Sequence, residues 1–436
     1  MTNKKTALAV CAAGALTASL LAGCSSGGTT TPTTDPTTAA AGTTPLVIWV
    51  SNDSVITQLI EKFSAEHPEY DVQVTDYGWN DMHDKFIAGL ATPEESLPDV
   101  MMTPDRTVGE FALLDALQPT SDYKAHLGQS DDMWLPGVWD YFVAPDSSGA
   151  EQLYAVPAYW DGRALFYRTD LYEAAGVTAP PTTWEELREV GSKVGDGADV
   201  FGVADFSGGL DTQWFQSILY SHGGALNTPD GLTCQLDQPA AVEALAYYKS
   251  LYDENVAPKD VAKRAEDPFV AFQQGYYAQA QSGPWWFALI AADPALEGKW
   301  AVAPLPEGKT GQIYSHPNPW VLPVGSQNVG GAWAWLDFMQ DPENEALWFA
   351  NAGLLPIKQA AYDLDLAKGD ATVQNAIDVL LHSGDAGYNS EHNIANANPI
   401  RNDGVAPMLD AVKNGADPQT AAAEACAKIN PLLQDR

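Results

Sequence analysis

Apolar and polar positions alternate along this chain in two different rhythms. Leu46-Val47-Ile48-Trp49-Val50 is a short unbroken apolar run, the pattern of a strand buried on both faces. Val55, Ile56, Leu59, Ile60 and Phe63 follow at helical spacing. Asp71 to Tyr77 alternates as a strand, Met82 to Leu90 is helical, and Asp99 to Met102 is another short buried strand. This β-α-β-α-β order predicts an α/β domain with a mainly parallel sheet. A second such pattern begins at Ala164-Leu165-Phe166-Tyr167. There Thr183-Trp184-Glu185-Glu186 has the spacing of a capping box and starts a helix after Pro180-Pro181. Helices are predicted at 239–254 and 267–274, and a strand at 276–282. Beyond residue 328 the chain reads as helical at 328–340, 342–351, 371–382, 401–414 and 417–433.

The first 44 residues follow neither rhythm. Lys4 and Lys5 precede an apolar stretch from Ala7 to Leu21, too short for a permanent span, which ends in Leu21-Ala22-Gly23-Cys24. That ending resembles a bacterial lipobox, with Cys24 as the residue that takes lipid. Residues 1–23 are therefore expected to be a lipoprotein signal. Residues 24–44, rich in Thr, Pro, Gly and Ser, are expected to be a tether with an r.m.s. reach of about 25 Å. Cys234 and Cys426 then remain; in an exported protein they either pair or stay free.

Composition narrows the function. The 436 residues carry 22 Lys+Arg against 57 Asp+Glu, a net charge of −35. Such a surface has no electrostatic footprint for phosphate backbones, so nucleic acid is not an expected partner. With 45% apolar residues the chain builds sizeable cores, and its length suggests more than one. The 14 Trp are more than the cores alone need. A share of them suits a site that grips flat, partly apolar faces.

Enzyme signatures mostly fail. GxSxG, HExxH and GxGxxG are missing from the sequence, and Ala303 to Thr310 (APLPEGKT) lacks the first glycine of a phosphate loop and carries two prolines in it. The seven His show no metal-ligand spacing. No metal and no cofactor are expected. A pair of carboxylates placed for glycoside hydrolysis exists only in space, which leaves a secreted glycosidase as the alternative from the enzyme class.

Three segments gather aromatic and polar side chains where loops are expected: Tyr154 to Arg163, Gly275 to Phe287, and Tyr314 to Trp320. On them the chain resembles the family 1 extracellular solute-binding proteins, sugar-capturing components of ABC importers related to maltose-binding protein. The motif blocks are Val156-Pro157 leading to Tyr167-Arg168-Thr169-Asp170-Leu171 and Ala175-Gly176, then Pro180-Pro181-Thr182-Thr183-Trp184-Glu185-Glu186-Leu187. Next come Phe272, Gly275, Ala278 and Gly283-Pro284-Trp285, and then the helix Ala332 to Met339 with Gly353-Leu354-Leu355-Pro356. The match covers about 45–436, with Ala155 standing where the family often has glycine.

The resemblance implies an α/β, two-lobed periplasmic-binding-protein-like fold of type II, each lobe a mainly parallel sheet flanked by helices, joined by hinge crossovers. It divides the chain into a first lobe of 45–160 and 312–354 and a second of 161–311 and 355–436. Hinges fall near Pro157–Arg163, Pro306–Tyr314 and Leu354–Ile357. It also implies a monomer that delivers a carbohydrate, a di- or oligosaccharide, to an ABC permease from a lipid anchor in the membrane, with no catalysis. A polyol, amino sugar or glycerol phosphoester is the alternative ligand; a phosphoester would call on Arg106, Arg163 or Arg401.

A pyranose offers an apolar face for an aromatic ring and hydroxyls for Asp, Asn and Arg. Trp285 is the foremost stacking candidate, with Trp286 beside it. Tyr159, Trp160 and Asp161 sit in the first hinge segment, and Arg163 is either a donor to the sugar or the partner of Asp161. Asn318 and Trp320 face the cleft if their segment is a crossing loop. Asn52 and Asp53 are cleft residues or a helix cap. Asp105, and more weakly Trp79 and Asp81, lie at carboxyl ends of strands, where open α/β sheets bind ligands. Phe206 and Trp214 flank a Gly-rich loop.

Overall fold

The computed structural model describes residues 43–51, 57–92, 97–205, 210–260, 267–365, 371–383, 387–388, 394 and 396–435. Twelve strands are assigned among them: β1 (Thr44–Ser51), β2 (Tyr70–Tyr77), β3 (Val100–Met102), β4 (Val143–Pro145), β5 (Glu151–Leu153), β6 (Ala155–Asp161), β7 (Ala164–Arg168), β8 (Gln279–Ser282), β9 (Trp300–Ala303), β10 (Ile313–Tyr314), β11 (His316–Val321) and β12 (Gly387–Tyr388).

The larger sheet has the order β2-β1-β3-β11-β6. Its first three strands are parallel, with Ile48 opposite both Val74 and Val100. The run read from Leu46 to Val50 is indeed flanked on both sides, and Leu46, Ile48 and Val50 are buried. β11 then runs antiparallel to β3 and to β6.

β11 and β6 are the strands that the sequence hides. Both carry proline (Pro157, Pro317, Pro319), and they were expected as a hinge loop and a crossing loop. Every residue of both strands is buried. Proline gives no N–H to a ladder, and the register shifts between Asn318 and Pro319. The pairing still sets His316 opposite Asp161 and Asn318 opposite Tyr159, so these four side chains share one face.

The smaller sheet corrects the expectation of a second mainly parallel layer. β7 lies between β8 and β9 and pairs antiparallel with each, with Leu165 opposite Gln281 and Ala303. A short central strand with partners returning from distant parts of the chain has no pairing direction that periodicity alone can read.

Two apolar clusters accompany the sheets. One gathers around Trp320, Trp335 and Trp348 and takes in residues of both sheets, Ile48 and Phe166 among them. The other lies among the helices Trp184–Val194, Leu210–Ser221, Pro239–Asp253, Ala406–Lys413 and Pro418–Gln434. The Thr183 capping box forms as read: its hydroxyl accepts from the Glu186 N–H, and Glu186 reaches back to the cap. Cys234 and Cys426 are joined as a disulfide, Cα atoms 5.3 Å apart, tying the loop before Pro239 to the last helix.

The chain passes between the sheets at Asp161–Gly162–Arg163 and at Tyr314–Ser315–His316. The first passage is tight. A Cβ on Gly162 would lie 2.4 Å from the Leu380 carbonyl oxygen. The Arg163 N–H donates to Ser315 Oγ at 3.1 Å, which binds the two passages together. A third connection leaves the helix Pro342–Ala352. There the Trp160 N–H donates to the Leu355 carbonyl at 2.8 Å and the Leu135 N–H to Ile357 at 2.8 Å. Residues 355–357, placed in the second lobe from sequence, thus pack against residues placed in the first.

Candidate functional site

The site forms where β6, β8 and β11 end beside the passages. Asp161 is its centre and is 7% exposed. One of its carboxylate oxygens pairs with Arg163 Nη1. The other accepts from Asn318 Nδ2 at 3.2 Å and lies 3.6 Å from His316 Nε2. The His316 ring stands between two acids, because its Nδ1 is 3.6 Å from Asp105 Oδ1. Asp105 accepts from the Tyr141 hydroxyl at 2.8 Å. Arg163 is fully buried and donates to Gln213 Oε1 at 2.9 Å. Burial works against its charge, but Asp161, with smaller contributions from Tyr314 and Asp105, outweighs it and holds the guanidinium pKa above its usual value. Of the two sequence alternatives for Arg163, the structure realises the partner of Asp161.

Trp285 is half-buried. The Arg163 guanidinium lies 4.9 Å from the centre of the indole and 5.5 Å from that of Tyr314. The indole rests on Gly283, where a Cβ would come within 2.0 Å of a ring carbon. The glycine of the Gly283-Pro284-Trp285 motif is therefore a seat for the ring.

Several other aromatic candidates belong to the cores, and this corrects the sequence reading. Trp286, 3% exposed, packs on Phe166, Phe269 and Phe272 at 5.0–5.4 Å. Adjacent helical residues point in different directions, so Trp286 turns inward where Trp285 stays half-exposed. Trp320, 1% exposed, is stacked on Trp348 at 6.1 Å, because its segment is a strand rather than a loop. Tyr159 is buried edge-on to Trp348, and Trp214 edge-on to Trp184. Trp160 is buried with its indole N–H donated to the Leu380 carbonyl at 3.0 Å, a fixture of the passage.

Trp79 is half-buried and begins the helix Trp79–Ala91, with Asp81 exposed in its first turn. Asn52, Asp53, Phe206 and Cys24 lie outside the described residues. Sequence reasoning missed His316, Gln213 and Tyr141 as members of the candidate site. A lone His or Gln carries no spacing signal, and only strand register and a distant helix bring them here.

The third connection holds a second buried acid and base. Glu345 Oε2 accepts from the backbone N–H of Ile357 at 3.1 Å and of Lys358 at 2.9 Å. Burial pushes the Glu345 carboxyl up to about 8, partly opposed by those hydrogen bonds and by Lys358. Burial lowers Lys358. Its ammonium sits 5.1 Å from the centre of the Trp134 indole.

Similarity to known proteins agrees with this architecture. The chain is 27% identical over 360 residues to the lactose-binding protein of Rhizobium radiobacter, covering 79% of this chain and 76% of that one. The sugar-binding protein MalE of Xanthomonas citri superposes with a TM-score of 0.70 at 25% identity, over 89% of this chain and 97% of the other. UgpB of Mycobacterium tuberculosis, in complex with glycerophosphocholine, superposes with a TM-score of 0.76 at 21% identity, over 90% and 99%. The model of the bacterial extracellular solute-binding proteins matches residues 49–346. The fold is therefore the α/β periplasmic-binding-protein fold of MalE, and this chain belongs to the bacterial extracellular solute-binding protein family, binding proteins of ABC transport rather than enzymes.

Proposed function

We propose that this protein captures a carbohydrate, a di- or oligosaccharide, in the cleft beside Trp285 and delivers it to an ABC permease. One observation carries the reading: a half-exposed indole, seated on Gly283, stands beside Asp161, Asn318 and Arg163. That is an apolar face next to paired donors and acceptors, which is what a pyranose presents in complement. The charges nearby are compensated, since Arg163 is paired with Asp161. A neutral polyhydroxylated solute fits such a wall better than an anion does.

A glycerol phosphoester is the second reading. Arg106 and Arg401, both buried, are the cations that reading would call on. In either case the body is held at the membrane by lipid on Cys24 through the 24–44 tether, and it works as a monomer with lobes of 45–160 plus 312–354 and 161–311 plus 355–436.

A thermal-shift screen with mono-, di- and trisaccharides and glycerol phosphodiesters separates the two. A solute at 100 times Kd adds about 2.7 kcal/mol of stability. Stabilisation by a phosphodiester and by no sugar would overturn the carbohydrate reading. Labelled palmitate on the wild-type chain, and none on Cys24→Ser, would establish the anchor.

A further inference from the structure

Two side-chain amides touch the Asp161–Arg163 pair, and the pair leaves each of them one way to face. Arg163 Nη2 donates to Gln213 Oε1 at 2.9 Å, while its Nη1 pairs with one oxygen of Asp161. The other Asp161 oxygen accepts from Asn318 Nδ2 at 3.2 Å. A guanidinium only donates, and the carboxylate paired with it only accepts. Gln213 therefore turns its carbonyl oxygen to Arg163 and its NH2 away from the pair. Asn318 is set the opposite way, with its NH2 on Asp161 and its oxygen turned away.

Both outward groups are unused. Among the described residues Gln213 Nε2 has no hydrogen-bond partner, and Asn318 Oδ1 accepts no hydrogen bond. The pair between them is already engaged. Each Asp161 oxygen holds a donor, and Arg163 is fully buried, 4.9 and 5.5 Å from the ring centres of Trp285 and Tyr314. Asp161 is thus a positioning residue, which acts on the site through the amides it and Arg163 direct.

Gln213 is also braced from behind. It is half-buried in the first turn of the helix Leu210–Ser221, between the buried Thr212 and Trp214. Its backbone carbonyl accepts from Gln281 Nε2 at 3.3 Å. Gln281 belongs to β8, the strand that leads through Gly283 to Trp285, so one amide ties the Gln213 turn to the segment carrying the indole. Gln281 is 5% exposed, and its Oε1 has no hydrogen-bond partner among the described residues. An unpaired buried acceptor is rare in folded proteins, and this one lies beside the turn that carries Gln213.

We propose that Gln213 is a solute-binding residue, and that its NH2, aimed by Arg163, selects a solute presenting an acceptor oxygen there. The inference rests on the reading of this cleft as the solute site and names a donor that reading lacks. Asn318 Oδ1 is the complementary acceptor and calls for a hydroxyl. A polyhydroxylated neutral solute supplies both, since each hydroxyl donates and accepts. A carboxylate or phosphate oxygen meets the donor at Gln213 and finds no donor in Asn318.

The decisive variant is Gln213→Glu, which keeps an acceptor toward Arg163 and replaces the outward NH2 by an oxygen. Titration calorimetry of the full protein with lactose, maltose and glycerophosphocholine is paired with Tm measured without solute. For any probe that binds the wild type, Gln213→Glu should bind about tenfold more weakly or worse, with Tm at or above the wild-type value. Gln213→Met, which lacks both groups, should lose a similar factor and lower Tm as well. A merely supporting role would move affinity and Tm together. Affinity of Gln213→Glu within about twofold of the wild type would overturn the inference. So would a Tm of Gln213→Glu below the wild type, because Arg163 would then not be holding residue 213. If lactose or maltose binds wild type and Gln213→Glu alike, the carbohydrate reading stands and this inference falls. If glycerophosphocholine binds and neither sugar does, the carbohydrate reading falls, and Gln213→Glu is judged on that probe by the same tenfold criterion.

Discussion

Two buried acid–cation–tryptophan groups occupy this protein at different connections, and they behave in opposite ways. At the first passage Asp161 pairs with Arg163, whose guanidinium lies by Trp285. At the third connection Glu345 sits beside Lys358, whose ammonium lies by Trp134. In the first group both carboxylate oxygens have hydrogen-bond donors, Arg163 and Asn318. In the second, Glu345 Oε2 takes two backbone N–H groups while Oε1 has no hydrogen-bond partner among the described residues.

A guanidinium fork keeps its charge when buried and bonds several partners at once, whereas a buried ammonium loses its proton more readily. In the first, burial works against the Arg163 charge, but Asp161 outweighs it and holds the guanidinium pKa above its usual value. In the second, burial raises the acid and lowers the base. The environments of the rings differ in parallel, since Trp134 is sealed at 1% exposure and Trp285 is half open. The first group lines the candidate site, and the second ties Glu345 to the backbone of the third connection.

The largest expected effect breaks the first group. Asp161→Ala strands a buried guanidinium and should cost about 3–5 kcal/mol in chemical denaturation. A cost below about 1 kcal/mol would mean that water or another acid already screens Arg163.

The second group predicts a pH dependence. Glu345 titrates at 4.5 as its ordinary value and at about 8 in the fold. Between those values the folded state binds more protons, so stability is fully present below pH 4.5 and declines as pH rises toward 8. Lys358 acts in the opposite sense at higher pH, because its lowered value makes the folded state release a proton early. The wild type should lose about 2–4 kcal/mol relative to Glu345→Gln as pH rises from 5 to 8. Parallel denaturation profiles for the two proteins would show that Glu345 is not the titrating group.

Next in size is Trp285→Ala. It should weaken binding of the solute found in the screen by about 2 kcal/mol, roughly 30-fold by calorimetry, with little change in Tm. Trp134→Ala should do the reverse, lowering Tm and sparing affinity. The smallest effect belongs to Lys358→Met, which removes a cation whose acid partner is protonated at pH 6. Its cost there should stay under about 1 kcal/mol and grow toward pH 9.

The blocks that announced the family divide in the same way between support and site. Arg168 and Asp170, from the first block, form a two-contact pair at 2.8 and 2.7 Å, and Arg168 also holds the Phe272 carbonyl at 2.8 Å. They join the end of β7 to the helix Pro268–Gln273. Thr183 and Glu186 only cap a helix. Gly283 and Trp285 alone carry the motif into the site. Asp105 and Asn318 were legible because strand ends and a polar segment suggested them. His316 and Gln213 were not, since their roles depend on which residues face each other across β6 and β11 and on where one helix begins.

What the sequence determined by itself is what local physics can write. Apolar periodicity placed most helices and the parallel strands within a few residues, and the Thr183 cap and the Gly283-Pro284-Trp285 turn were set by neighbours in the chain. What only the tertiary structure decided is which tryptophan stays half-exposed and which fills a core. Trp285, Trp286 and Trp320 look alike along the chain. One rests on a glycine beside a buried ion pair, and the others meet aromatic rings brought from residues tens to hundreds of positions away in some cases and nearby in others. Burial is a property of that assembly, which no window of sequence contains.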